Sequence, residues 1–344
     1  MSKAEILFLS QEEEVQCGLL DMKMVMEEVE KAFFKMGKGM VKNPPKVKLG
    51  LPENHNWTCF FNSMPSWLGS EEEGNEGIVG FKWAAESKNN VKEDKGLPLG
   101  VDVVILSDPH TVMPKAIMDG TIITAMRTSA VAGVAAKYLA PKGAKSACLV
   151  GAGVIGRTMV MAMMEALPEL EVIYMADLKV EKCQGLAEEF KDQIKIVPSA
   201  SVEESVKDAD VIVTATTAGK PIVFKDWVKK EKVTFIQMSG YEMDVEIGLA
   251  SKKYVDNYKQ MMTFDDKLLY DMVVNHNVAP ESVWELSDVA TGAKAGREDD
   301  DKWIICMTMG MGMQDIIVAN KLYENALAKG LGTKLTYWEN PLWV

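Results

Sequence analysis

A glycine-rich turn set between a strand and a helix constrains this chain most. Ser146–Val150 is an apolar run of strand length. Gly151-Ala152-Gly153-Val154-Ile155-Gly156 follows at once, and a helical pattern continues through Leu167. The next strand-like run, Glu171–Ala176, ends in Asp177, 21 residues after Gly156. Each part has a physical task. Gly151 permits the tight strand-to-helix turn, Gly153 lets a pyrophosphate approach bare backbone, and Gly156 lets helix and sheet pack closely. The helix start at Val154 and Ile155 offers free N–H donors and the positive end of a dipole to phosphates. Asp177 is placed to accept hydrogen bonds from the adenosine ribose. A carboxylate there repels a 2′-phosphate, which favours NAD over NADP, although Lys179 softens the preference. FAD is the competing dinucleotide. A motif in mid-chain, behind a separate domain, leans toward nicotinamide.

The pattern after Gly156 alternates strand and helix. Ile194–Val197, Asp210–Ala215, Val233–Met238 and Tyr254–Asp256 read as strands, and Ser201-Val202-Glu203-Glu204 as a capping box opening a helix. Alternation of this kind specifies a doubly wound parallel sheet, the Rossmann arrangement. Thr214-Ala215-Thr216-Thr217 closes one strand on the side where cofactors lie, so Thr216 is a candidate for the nicotinamide ribose. Strand preference for β-branched residues explains these threonines equally well.

Ahead of the motif the chain reads as a mixed α+β domain. Ile6–Leu9, Val47 to Leu49, Trp57–Met64, Ile78–Ala84 and Val101–Leu106 are strand-like. Leu20–Phe33 and Ile122–Leu139 are helical, and Gly69–Gly77 and Asn89–Lys95 are polar loops. A last helix, Gly310–Gly330, precedes an aromatic, strand-like Leu335–Trp343. That tail is expected to return to the first domain, making it discontinuous. The expected division is 1–128 with 320–344, and 129–319.

Composition excludes several classes. With 344 residues and 47% hydrophobic content the chain can bury two sizeable cores. A net charge of −12 argues against a nucleic-acid surface or an anionic membrane surface. Five cysteines, an odd number in no C-x-x-C frame, fit free thiols in a reducing cytoplasm. No apolar run reaches the roughly 20 residues of a membrane span. Three scattered histidines offer no zinc frame and no Ser-His-Asp triad, so no metal is expected and acid–base work falls to Lys, Asp or Glu.

The first domain carries cations in apolar settings: Lys46 after Pro44-Pro45, Lys82 in Gly80-Phe81-Lys82-Trp83, and Arg127 in Met126-Arg127-Thr128-Ser129-Ala130. Snorkelling or ion pairing accounts for any one of them. Together they make a carboxylate clamp, with Arg127 supplying a bidentate fork. Trp57, Phe61, Trp67 and Trp83 are candidates for apolar pocket walls, although aromatics more often fill cores.

These pieces resemble the ornithine cyclodeaminase/μ-crystallin family. The resemblance runs through Pro44-Pro45-Lys46-Val47, Phe61-Asn62-Ser63-Met64-Pro65, Gly80–Trp83, Met126–Ala130 and Gly151–Gly156. It continues through Glu285-Leu286 with Gly296-Arg297, and Gly310 to Asp315. It implies a dimerising, substrate-binding sheet domain plus an NAD domain, a homodimer, and hydride transfer between an amino-acid α-carbon and nicotinamide through an imine. It also implies that Lys46, Lys82 and Arg127 hold the substrate carboxylate, that Lys82 moves protons, and that Arg127 and Thr128 border the cofactor.

Two departures matter. Lys46 stands where the family commonly has Arg. The family's Gly-Gly-Asp segment is replaced by Met238-Ser239-Gly240-Tyr241-Glu242-Met243-Asp244. Glu242 or Asp244 is then the candidate acid acting on the amine, with a solvated acidic loop as the alternative. The expected function is an NAD(P)-dependent amino-acid dehydrogenase or imine reductase. A redox-neutral, ammonia-releasing cyclodeaminase and a non-catalytic cofactor-binding protein are the rivals.

Overall fold

The computed structural model describes residues 3–51, 59–72, 74–92 and 96–343. The chain divides into two compact units, Met1–Arg127 with Met311–Val344, and Thr128–Gly310.

The first unit is built on an eight-stranded sheet. Its strands are β1 (Ala4–Leu9), β2 (Val41–Lys42), β3 (Val47–Gly50), β4 (Cys59–Leu68), β5 (Ile78–Ser87), β6 (Gly100–Ser107), β7 (Pro114–Asp119) and the chain's last strand, β16 (Thr333–Trp338). They lie in the order β16-β1-β7-β6-β5-β4-β2, with β3 added on β4. Among the described residues only the β1–β7 pair of this sheet is parallel. Alternation divides the sheet into two faces. Met64, Lys82, Val104 and Met118 share one cross-strand row and are all buried. Ser63, Trp83 and Val103 form the row on the opposite face, where Trp83 and Val103 are exposed.

The helices Met22–Gly37 and Gly312–Lys329 pack together, and the latter covers β4, β5 and β6. It belongs whole to the first unit, so the chain returns at Met311 rather than within the helix. Gly330 ends it in the left-handed conformation, at φ 66°. Strand β7 has no clear signal in the sequence, because Pro114 and the turn at Asp108 mask its short run.

In the second unit every strand pair is parallel. Its strands are β8 (Ser146–Val150), β9 (Val172–Ala176), β10 (Lys195–Ser199), β11 (Val211–Thr214), β12 (Val233–Gln237), β13 (Lys252–Val255), β14 (Val283–Glu285) and β15 (Trp303–Met307). Their order, β10-β9-β8-β11-β12-β15-β13-β14, reverses direction between β8 and β11. That reversal is the switch point where such sheets bind ligands. Arg297 is structural. Its guanidinium donates to the carbonyls of Leu139, Val233, Asp301 and Lys302. No helix among the described residues is long and apolar enough to cross a membrane.

One buried acid in the first unit carries no site role. Glu14, in the helix Gln11–Gln16, is fully buried. Burial, with the Asp119 carboxylate adding to it, pushes its carboxyl up from 4.5 to about 9. The folded chain therefore holds a proton that the unfolded chain releases. Stability from this group is complete below pH 4.5 and declines as pH rises to about 9. Glu14→Gln should flatten that decline. Urea midpoints measured across the window check this, and a slope equal to that of the parent chain contradicts it.

Candidate functional site

Lys82 is the one charged member of an otherwise apolar cross-strand row, and it is 1% exposed. A buried ammonium needs acceptors, and the first unit supplies two, with a second carboxylate nearby. Asp315 Oδ1, near the start of the helix Gly312–Lys329, accepts from Lys82 Nζ at 2.9 Å. Thr124 Oγ1 accepts at 3.1 Å. Asp102 Oδ2 lies 3.8 Å away. Thr124 and Arg127 stand three apart on the helix Thr121–Leu139 and so share its face. Arg127 Nε donates to the same Asp315 Oδ1 at 2.9 Å, and Nη1 donates to Gln314 Oε1 at 3.2 Å.

One carboxylate oxygen thus gathers both cations. Asp315 Oδ2 and Gln314 Nε2 are buried without a hydrogen-bond partner. Burial works to raise the Asp315 carboxyl, and the charges of Arg127 and then Lys82 outweigh it, leaving it below the ordinary carboxylate value. Burial, then the neighbouring Arg127, pulls the Lys82 ammonium below its usual range, against the opposing pull of Asp315 and Asp102. Burial raises the Asp102 carboxyl, with Lys82 and Thr124 countering in part. An ammonium lowered in this way is better matched to proton transfer near neutrality.

The segment carrying Lys46 is anchored close by. Asn43 Oδ1 accepts from Met313 N at 2.9 Å and from Ser66 Oγ at 2.5 Å. This ties the double-proline segment to the start of the helix that bears Asp315. Lys46 itself is half-buried and directly precedes β3.

The expected aromatic walls are not assembled around Lys82. Phe61, Trp67 and Trp83 alternate onto the opposite face of the sheet, where Phe61 and Trp83 stack at 5.5 Å and Trp67 Nε1 donates to the Glu76 carbonyl. Trp57 lies outside the described residues.

In the second unit the glycine turn has the shape its spacing predicts. Gly151 has φ 109°, and a Cβ there would stand 2.5 Å from the Ala215 carbonyl. A Cβ on Gly156 would stand 2.1 Å from the Gly151 carbonyl. Gly153 faces open space and is the N-cap of Val154–Ala166, with no side chain capping the helix. Val154 is exposed and Ile155 partly so. The amides at this helix start are therefore free of a side-chain cap, as phosphate binding requires. Asp177 follows β9. Its Oδ2 accepts from Ala152 N and its Oδ1 from Lys179 N, both at 2.8 Å, which holds the carboxylate beside the turn. Thr128 opens this unit and is partly exposed.

The loop after β12 differs from expectation. Asp244 is spoken for: its Oδ1 caps the helix Val245–Ala250 through Ile247 N at 2.9 Å, and its Oδ2 accepts from Lys225 N at 2.8 Å. A carboxylate held by two backbone amides is a cap, so Asp244 is dropped as an acid–base candidate. Glu242 is fully buried rather than solvated. Its Oε1 accepts from both the amide and the hydroxyl of Thr216, while Oε2 has no partner. The Thr216 hydroxyl is thereby committed to Glu242 instead of standing free for a ribose. Tyr241, passed over in the sequence, donates its hydroxyl to Asp271 Oδ2 at 2.7 Å. Burial and that carboxylate push the phenol up to about 12, so it stays protonated.

A family model for the ornithine cyclodeaminase/mu-crystallin family matches residues 7–330. The chain belongs to that family. Among its relatives is the N-((2S)-2-amino-2-carboxyethyl)-L-glutamate dehydrogenase of Staphylococcus aureus, 31% identical over 83% of this chain and 85% of that protein. The solved Delta(1)-pyrroline-2-carboxylate reductase of Thermococcus litoralis, in complex with NADH and L-proline, is 32% identical. It covers 95% of this chain and 99% of its own, with a TM-score of 0.86. An archaeal alanine dehydrogenase dimer with bound NAD is 31% identical, covers 97% of this chain and 100% of its own, and has a TM-score of 0.86. The geometry gives Asp315, which stood without a role in the sequence, its place as the acceptor shared by Lys82 and Arg127. The signal for Asp315 was present, since it is the sole acid in the buried run Gly312–Ala319.

Proposed function

We propose that this family member is a nicotinamide-dependent oxidoreductase acting on the CH–NH bond of an amino acid or its imine, with NAD as cofactor. The observation that carries the reading is the buried pairing of Lys82 and Arg127 on one oxygen of Asp315. Two cations so placed have spare donors for a substrate carboxylate. Lys46 is the third member of this clamp. Two of the relatives named above, a dehydrogenase of an amino-acid derivative and an imine reductase, act on substrates of this class.

The second unit fits the cofactor by the uncapped helix start at Gly153 and the fixed carboxylate of Asp177. Gly151, Gly153, Val154, Ile155 and Gly156 would hold the pyrophosphate, and Thr128, in the same unit, would border it. Bound nicotinamide supplies hydride exchange with the substrate's α-carbon. Lys82 exchanges the proton at the substrate nitrogen, and Arg127 orients the carboxylate. Glu242 holds the Thr216 loop through its Oε1. With Asp244 committed as a cap and Glu242 buried against Thr216, both acids of this loop are engaged, which favours amine–imine redox chemistry over cyclodeamination.

The outer face of the first unit's sheet exposes Val47, Leu49, Trp83, Val101 and Val103. An apolar sheet face of this kind fits a homodimer interface, and an archaeal relative is a dimer.

Absorbance of reduced nicotinamide, followed with a panel of amino acids and of 2-oxo acids plus amines, tests the activity. Substrate-dependent change supports it, and ammonia release without absorbance change replaces it with the cyclodeaminase. Asp177→Ser should weaken NAD by about 1.5–3 kcal/mol, roughly 10- to 150-fold in Kd, and should favour NADP in relative terms. Titration of both cofactors checks this, and unchanged preference contradicts the placement of the ribose.

A further inference from the structure

Behind Lys82 runs a second, shorter chain of groups. Thr124 Oγ1 accepts from Lys82 Nζ at 3.1 Å and donates to Asp102 Oδ2 at 2.5 Å. Lys82 and Asp102 stand 3.8 Å apart, too far for a direct hydrogen bond, so the hydroxyl bridges them. Lys82 is on β5, Asp102 on the neighbouring β6, and Thr124 on the first turn of Thr121–Leu139. Asp102 is 6% exposed. It is fixed by Ala85 N, which donates to its Oδ1 at 3.1 Å, and by its own amide, which donates to Thr121 Oγ1.

The other ionisable groups facing this chain are Arg127 and Asp315 around Lys82, and Asp315 and Glu86 around Asp102. Asp315 is a poor place for a proton, because two cations share its Oδ1. Asp102 has only the one cation, at longer range.

We propose that Lys82, Thr124 and Asp102 form a proton relay, with Asp102 as the store behind the catalytic lysine. The proposal rests on the reading of Lys82 given above. In amine oxidation the Lys82 ammonium gives a proton to Thr124 Oγ1 as that hydroxyl gives its own to Asp102 Oδ2. Lys82 is then a neutral amine, Thr124 is unchanged and Asp102 is a neutral acid. The Lys82 lone pair takes a proton from the substrate ammonium, leaving the free amine from which hydride can depart. One proton has moved from substrate to Asp102, and imine reduction runs the same path backwards. The resting hydrogen bonds already have the required polarity, N–H to hydroxyl and O–H to carboxylate.

Thr124→Ser keeps the bridge and should hold kcat within about twofold. Thr124→Val and Asp102→Asn should each lower kcat by about tenfold or more, with KM little changed. Their rates should climb with pH, because Lys82 must then lose its proton to solvent. Parental kcat and pH profile in both variants would overturn the relay, as would a serine variant that falls as far as the valine. Carbon-13 NMR of lysine Cε in the cofactor-free protein gives a reading independent of activity. The Lys82 titration should move on Asp102→Asn, and an unmoved titration overturns the coupling. A parent chain that turns over no amine or imine would sink the functional reading, while the NMR comparison would still decide the coupling.

Discussion

Lys82→Ala should bind NAD as tightly as the parent chain and lose about 100- to 10,000-fold in turnover. The glycine turn and Asp177, proposed above to hold the cofactor, belong to the second unit, and Lys82 belongs to the first. In the proposed reaction, by contrast, Lys82 exchanges the proton at the substrate nitrogen. Asp315 keeps Arg127 as a partner when the ammonium is removed, and urea unfolding of the variant separates a loss of fold from a loss of turnover. Cofactor titration alongside steady-state kinetics separates the two effects. Normal turnover in this variant would place the chemistry elsewhere.

Asp315→Ala is expected to cost about 3–5 kcal/mol of stability, the scale for breaking a buried pair and stranding its partner. Here two partners are stranded, since Lys82 and Arg127 both lean on Oδ1 and both are buried. Urea unfolding at neutral pH measures it. A loss under about 1 kcal/mol, the scale of an exposed pair, would mean that the cluster is hydrated and that the clamp is not preorganised by Asp315.

What the sequence made legible was local. The turn Gly151–Gly156, the strand before it and Asp177 after it lie within one βαβ unit, and backbone conformation alone imposes their spacing. The parallel series was legible wherever strands alternate with helices. Strand β15, central in the sheet between β12 and β13, was missed. Trp303-Ile304-Ile305-Cys306-Met307 is almost wholly buried and therefore shows no alternation. The candidate site was half legible. Lys82 and Arg127 stood out as cations in apolar runs, but their counter-charge lies 233 positions from Lys82 and is brought in by tertiary packing. The local signal, a sole acid in the buried run Gly312–Ala319, does not say which cations it meets. Asp244 misled for a related reason, since an acid at a helix start and an acid at an active site look alike until the amides around it are seen.

The most direct test of the account follows a labelled hydride. The protein is incubated with an imino acid, or a 2-oxo acid plus amine, and reduced nicotinamide deuterated at its transferring carbon, and the product is read by mass spectrometry. The account predicts an amino acid carrying one deuterium at the α-carbon, in proportion to cofactor oxidised. An amino acid formed without deuterium, or a cofactor left reduced in the presence of every such substrate, would contradict it.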